Sequence, residues 1–65
     1  MNDYKVLEYL AKEIDKLRSD QAMFLNGGGA KDFAEYRHVC GIIRGLTHAE
    51  TIVKDLAKRM ESSDE

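Results

Sequence analysis

Apolar residues recur every three or four positions along two segments of the chain. In the first segment the row is Leu7, Leu10, Ile14, Leu17 and Phe24, with Gln21 in the one polar slot, and Val6, Tyr9, Ala11 and Leu25 widen it. This spacing is typical of an amphipathic helix with a coiled-coil-like seam. We therefore predict a helix over about residues 3–25.

Three consecutive glycines follow this segment. Gly27, Gly28 and Gly29 come directly after Asn26. A glycine just beyond the last helical turn adopts the left-handed conformation that satisfies the final carbonyl groups. We predict a turn over residues 26–31 that connects two helices.

A longer helix is predicted after the turn, over about residues 32–60. Asp32 and Glu35 have the spacing of a capping box, and no proline interrupts the residues that follow. The apolar row of this helix is Val39, Ile42, Leu46, Ala49, Val53, Leu56 and Met60. We expect this row to pack on the first helix and, because the second helix is longer, one of its ends to extend beyond the first.

A second apolar row lies beside the first in the N-terminal half of this helix, at Phe33, Tyr36, Cys40 and Ile43. A hairpin needs only one row, so the second is expected to meet another copy or a different protein. Gly41, Gly45 and Ala49 are spaced by four and could form a shallow groove for another helix. The predicted oligomer or partner interface is Phe33, Tyr36, Cys40, Gly41, Ile43, Gly45 and Ala49.

Charged residues mark the faces that we expect to be solvated. Glu50 precedes Lys54 by four residues, a helical ion-pair spacing that predicts an exposed, ion-paired face. Residues 61–65 lack an apolar side chain and carry negative charge at the wrong end of the helix dipole. They are predicted to fray.

Length and composition favour an assembly over a lone hairpin. A chain of 65 residues with one cysteine has a small core and no intramolecular disulfide, so self-association is the expected source of stability. Its net charge of -2 argues against nucleic-acid binding through bulk charge. Neither a membrane-spanning segment nor a signal peptide is expected, which predicts synthesis in a cytoplasm.

Two groups of residues contain side chains that occur in chemical sites. Glu35 and His38 have a spacing used in di-iron carboxylate bundles, but helix one supplies no matching carboxylate, and Glu35 has a capping role. His38, Cys40 and His48 do not share a helix face and lack an orienting group. We therefore predict a protein that is not an enzyme and has no metal or cofactor.

A basic set on the second helix leaves an alternative open. Arg37, Arg44 and His48 share a face by their spacing, and Lys31 lies near its start. These residues could contact a polyanion or an acidic partner, although solvated charge is the simpler interpretation.

The second half of the chain resembles a pattern in short, mostly uncharacterised proteins of tailed bacteriophages. The residues that carry the resemblance are Lys31 to Arg37, Cys40 to Leu46, and Ala49. The resemblance implies a phage-encoded protein whose gene often lies near those for packaging and head–tail assembly. It implies no catalytic residues.

These observations predict an all-α fold: an antiparallel hairpin of a short and a longer helix that assembles into a bundle or ring. The expected function is non-enzymatic, by self-association and protein binding in virion structure or assembly, in the host cytoplasm or the virion. The expected partners are further copies and a larger phage structural protein or a host protein. The alternative is a small regulator that binds nucleic acid or a host protein through Arg37 and Arg44.

Overall fold

The computed structural model describes residues 3–63 and consists of two helices packed along each other. Helix α1 spans Asp3–Asn26 and helix α2 spans Phe33–Ser63. The hairpin is narrow, with principal extents of 50 × 16 × 12 Å. The predicted all-α hairpin with a shorter first helix is confirmed.

The glycine turn ends α1 with a Schellman arrangement. The Gly29 N–H donates to the Phe24 carbonyl at 2.9 Å, and the Gly28 N–H donates to the Leu25 carbonyl at 3.0 Å. Gly28 has a φ of 76°, the left-handed conformation that favours glycine. A Cβ atom at Gly29 would lie 2.5 Å from the Phe24 ring. The turn therefore needs glycine at both positions, for different reasons.

The ends of α2 agree only in part with the sequence prediction. The Glu35 N–H donates to Asp32 Oδ1 at 2.8 Å, which confirms Asp32 as the N-cap. The Glu35 carboxylate lies 3.9 Å from Lys31 Nζ. Helix α2 continues to Ser63, three residues beyond its predicted end, and the fraying of residues 61–65 stays a prediction. Residues 64 and 65 lie outside the described part of the chain.

The contact between the helices is thin. The buried residues of the hairpin are Ala11, Val39, Ala57 and Glu50, and within residues 3–63 no large side chain is completely buried. Half-buried apolar residues extend the contact along both helices: Leu7, Ile14 and Leu25 in α1, and Ile43, Leu46, Val53 and Met60 in α2. We call these residues, together with Arg18 and Gln21, the inner stripe.

The predicted packing rows are rotated relative to this stripe. Leu10, Leu17 and Phe24 were expected to pack on α2, yet they are 44%, 56% and 42% exposed. Ile42 and Leu56 of the row predicted to pack on α1 are exposed as well. The reason is that Ala11, Glu50 and Ala57 occupy the buried positions between the helices. The larger apolar residues therefore lie on one side of the hairpin.

A charged layer lies in the middle of the inner stripe. Glu50 is only 6% exposed, which corrects its predicted place on a solvated face. Its two carboxylate oxygens lie 3.5 Å from Arg18 and 3.4 Å from Lys54. Arg18 also hydrogen-bonds Asp15. The guanidinium of Arg18 holds the pKa of Asp15 below its usual 3.8, chiefly through this hydrogen bond.

The Arg18–Glu50 pair sets the register of the hairpin. Helix α1 ends eight residues after Arg18, whereas α2 begins seventeen residues before Glu50. At the rise of an α-helix, the first turns of α2 therefore extend about 13 Å beyond the end of α1. We call residues 33–40 the overhang.

Enlarging Ala11, which is buried in the contact between the helices, should separate them. Ala11 is 3% exposed, so Ala11→Leu introduces three carbon atoms where space is lacking. We expect a loss of about 1–3 kcal/mol in the free energy of unfolding, measured by urea denaturation followed by circular dichroism. Ala34→Leu, at an exposed position of α2, is the control and should change stability little. Equal effects of both substitutions would contradict this packing.

Acid should weaken the charged layer through Asp15. Because the folded-state pKa of Asp15 is lowered, its stabilising contribution is fully present above the unfolded-state value of 3.8 and is lost as the pH falls through the folded-state value. Thermal melts between pH 6 and pH 3 should show a smaller acid-induced fall in Tm for Asp15→Asn than for the wild type. Asp20→Asn should behave like the wild type, since Asp20 is exposed and forms none of the ion pairs found among residues 3–63.

Candidate protein-binding site

Exposed aromatic and basic side chains lie on the overhang and on the next helical turn of α2. Phe33, Tyr36, Arg37, Cys40 and Arg44 line one shallow depression of about 410 Å³. Phe33 is 70% exposed and Tyr36 47% exposed, because α1 ends before it reaches their level. We call these five residues the aromatic–arginine patch.

The patch is ordered by contacts along one helix. The rings of Phe33 and Tyr36 stack with centroids 6.2 Å apart and an interplanar angle of 22°. The guanidinium carbon of Arg37 lies 6.0 Å from the Phe33 centroid, at the outer limit of a cation–π contact. These i, i+3 and i, i+4 contacts hold the three side chains in one arrangement before any partner arrives.

Cys40 lies beside Tyr36 and is half-buried and free. Cys40 raises the pKa of the Tyr36 phenol, chiefly through a side-chain hydrogen bond. A tyrosine hydroxyl is protonated at physiological pH even without such a shift, so Tyr36 offers a hydrogen-bond donor. His38 is two residues away and points to a different side of α2. The arrangement thus provides an apolar and hydrogen-bonding surface, without a nucleophile and base held together.

The structure separates the other residues predicted for the interface. Ile43 is half-buried in the inner stripe and faces α1. Gly41 and Gly45 are exposed, and a Cβ atom at either position would meet nothing within 4 Å. Ala49 is half-buried and lies on the side of the hairpin opposite the patch. Only Phe33, Tyr36 and Cys40 of the predicted interface come together.

The predicted basic set is also divided. Arg37 and Arg44 line the same depression, whereas His48 is exposed one turn beyond it. Lys31 precedes α2 and its ammonium lies 3.9 Å from the Glu35 carboxylate. Two arginines beside two aromatic rings therefore remain as the basic part of the site.

An apolar side of the hairpin was not singled out from the sequence as a surface. These residues were predicted to pack between the two helices, and Ala49 was predicted for the oligomer interface as well, but they lie outside the inner stripe. They are Leu10, Leu17 and Phe24 of α1 and Ile42, Ala49 and Leu56 of α2, which we call the apolar face. The signal was present in the sequence, since each set of three is spaced by seven residues.

A second, larger depression lies at the open end of the hairpin, with a volume of about 970 Å³. Charges of both signs surround it, among them Glu8, Asp15, Lys54 and Lys58. Asp15 and Glu50 at its floor are already paired with Arg18 and Lys54. Five lysines and three acidic residues line this groove, so it is an open, net basic side of the hairpin.

Among residues 3–63, no three His, Cys, Asp or Glu side chains converge closely enough to hold a metal ion. Within the same part of the chain, neither helix is long and apolar enough to cross a membrane. Comparison of the chain with protein-family models, curated proteins and solved structures gave no match.

Proposed function

We propose that this chain is a non-enzymatic protein that acts by helix-mediated self-association and by binding a larger protein. The observation that carries the proposal is the overhang, which presents Phe33, Tyr36 and Arg37 together beyond the end of α1. Aromatic residues and arginine are the residue types that contribute most to binding energy in protein interfaces.

The composition of the patch suits a protein partner. Stacked aromatic rings offer a large apolar area with few rotatable bonds, so ordering them on binding costs little entropy. The two arginines add planar donors that pair with carboxylates at the rim of an interface. A partner with an apolar pocket bordered by acidic side chains matches this surface.

The proposed setting is virion structure or assembly in the head–tail or packaging region of a tailed phage, with the host cytoplasm as the place of assembly. The support for this setting is the resemblance of residues 31–49 to short phage proteins. A thin rod with a binding patch at one tip is a suitable shape for a small component that joins a larger one.

Removing the aromatic rings should abolish partner binding while the protein itself stays intact. The double variant Phe33→Ala/Tyr36→Ala should be lost from purified virus particles, with the wild-type chain retained at constant stoichiometry, as measured by quantitative mass spectrometry. Tyr9→Ala is the matched control, because Tyr9 is 63% exposed but lies at the other end of the hairpin. Equal retention of all three proteins, or absence of the wild type from particles, would contradict the proposal.

A small regulator is the second candidate, favoured by the proximity of Arg37 to the Phe33 ring. Aromatic rings next to arginines can stack with bases of single-stranded nucleic acid while the guanidinium groups neutralise phosphates. The same two arginines could instead bind an acidic surface of a host protein. Against nucleic acid stand the overall charge of -2 and the acidic residues Asp32 and Glu35 close to the patch.

Salt dependence distinguishes nucleic acid from a protein partner. We expect a labelled 20-nucleotide single strand to show no binding at ~0.15 M salt in fluorescence anisotropy, since two arginines release few counterions. Binding that weakens steeply with salt and is lost in Arg37→Ala/Arg44→Ala, but kept in Arg59→Ala, would instead identify the regulator. Arg59 is exposed near the far end of α2, which makes it a charge-matched control.

A further inference from the structure

We infer that the apolar face is covered by a second copy of this chain, so that two hairpins form a four-helix bundle with both aromatic–arginine patches free. The inference deepens the self-association of the proposed function by naming the surface and its occupant. It replaces the interface expected from the sequence, whose residues the fold distributes over different sides.

Positions around each helix show that this face is one continuous side. At 100° per residue, Leu10 and Leu17 of α1 lie on one side of the inner stripe, and Asp15 lies on the other. In α2, Leu56 and Lys54 are divided by the stripe in the same way. Asp15 and Lys54 line the same charged groove, so the leucines of both helices must share the opposite side.

The register brings the apolar residues to nearly matching levels. Leu17 and Ala49 each precede one member of the Arg18–Glu50 pair, so in antiparallel helices they are offset by two residues, or about 3 Å, along the axis. One heptad in either direction, Leu10 and Leu56 have the same small offset, as do Phe24 and Ile42. Three layers of two uncharged residues thus run along the hairpin, as in the helices of a bundle core.

The exposed area has the size that one partner would cover. A compact monomer of 7.4 kDa is expected to expose about 4200 Å², whereas this hairpin exposes 5140 Å². The excess of roughly 900 Å² is close to the ~800 Å² that each partner contributes to a standard protein interface. Half-buried side chains in the inner stripe leave the lone hairpin without a core of its own.

The face is complementary to itself. Its middle layer combines the large Leu17 with the small Ala49, and Gly45 lies one turn away with open space around it. When α1 of one copy packs against α2 of the other, Leu17 of each copy enters the space beside the small residues Ala49 and Gly45 of the other copy. Pairing α1 with α1 would bring Glu13 and Asp20, at the outer edge of this face, toward the same acids of the other copy. The first arrangement is therefore the one we assign.

A charge on the apolar face should dissociate the dimer, whereas a charge elsewhere should not. Leu17→Glu tests the face, and Met23→Glu is the matched control, because Met23 is on the same helix and is even more exposed at 68%. Molar mass by light scattering should be twice 7.4 kDa for the wild type and Met23→Glu. For Leu17→Glu it should fall to the monomer value, and Leu56→Glu on the other helix should repeat the loss.

Circular dichroism separates the remaining outcomes. Unfolding of Leu17→Glu with Met23→Glu still folded also supports the inference, since a lone hairpin would tolerate glutamate at a half-exposed position. Dimers of Leu17→Glu and Leu56→Glu with unchanged Tm would overturn it, as would equal dissociation of Met23→Glu. A wild type that is monomeric at all concentrations would overturn self-association as well. A dimer lost only in Phe33→Ala/Tyr36→Ala would leave self-association standing and refute this face alone.

Discussion

The pairing of Glu50 with Arg18 across the two helices is the constraint on which the rest of the arrangement depends. A carboxylate that is 6% exposed must keep its cationic partners, because an unpaired charge in that position is costly. A shift of the helices by one turn would move Arg18 about 5 Å along α2, beyond hydrogen-bond reach. In some proteins buried ionic groups of this kind fix the register while adding little net stability.

Two features of the surface follow from this register. The first is the overhang, since α2 has nine more residues than α1 on the turn side of the ion pair. Phe33 and Tyr36 are exposed for that reason and not because the sequence there is polar. The second is the alignment of Leu17 with Ala49, which merges apolar residues of two helices into one face. The patch and the apolar face lie on opposite sides of the hairpin.

Much of the fold could be predicted from local sequence. Gly28 and Gly29 fix the turn, Asp32 caps α2, and the apolar period gives both helices, because each signal acts within a few residues. The side that each helix turns inward could not be obtained in this way. Leu7 and Ile14 belong equally to a row with Leu10 and Leu17 or to a row with Ala11 and Arg18, and the larger apolar side chains favour the first. The partner of Arg18, Glu50, is thirty-two residues away, so the pairing that reverses this choice is invisible to local periodicity.

A single helix–helix seam usually both aligns the helices and removes apolar area from water. In this hairpin the inner stripe aligns the helices, and much of the apolar area lies on the apolar face. Small residues and an ion pair, such as Ala11, Ala57 and Glu50, let the helices approach closely and fix their alignment, but they remove little apolar area from water. The leucines and isoleucines of the inner stripe are only half-buried. The large side chains of the apolar face, which are leucine, isoleucine and phenylalanine, are at least 36% exposed. A helix with apolar residues at both sets of positions has a stripe wider than a two-stranded seam requires, which is the pattern of a helix with two neighbours in a bundle. The single hairpin packs only one of these two sets of positions, and the apolar face stays exposed.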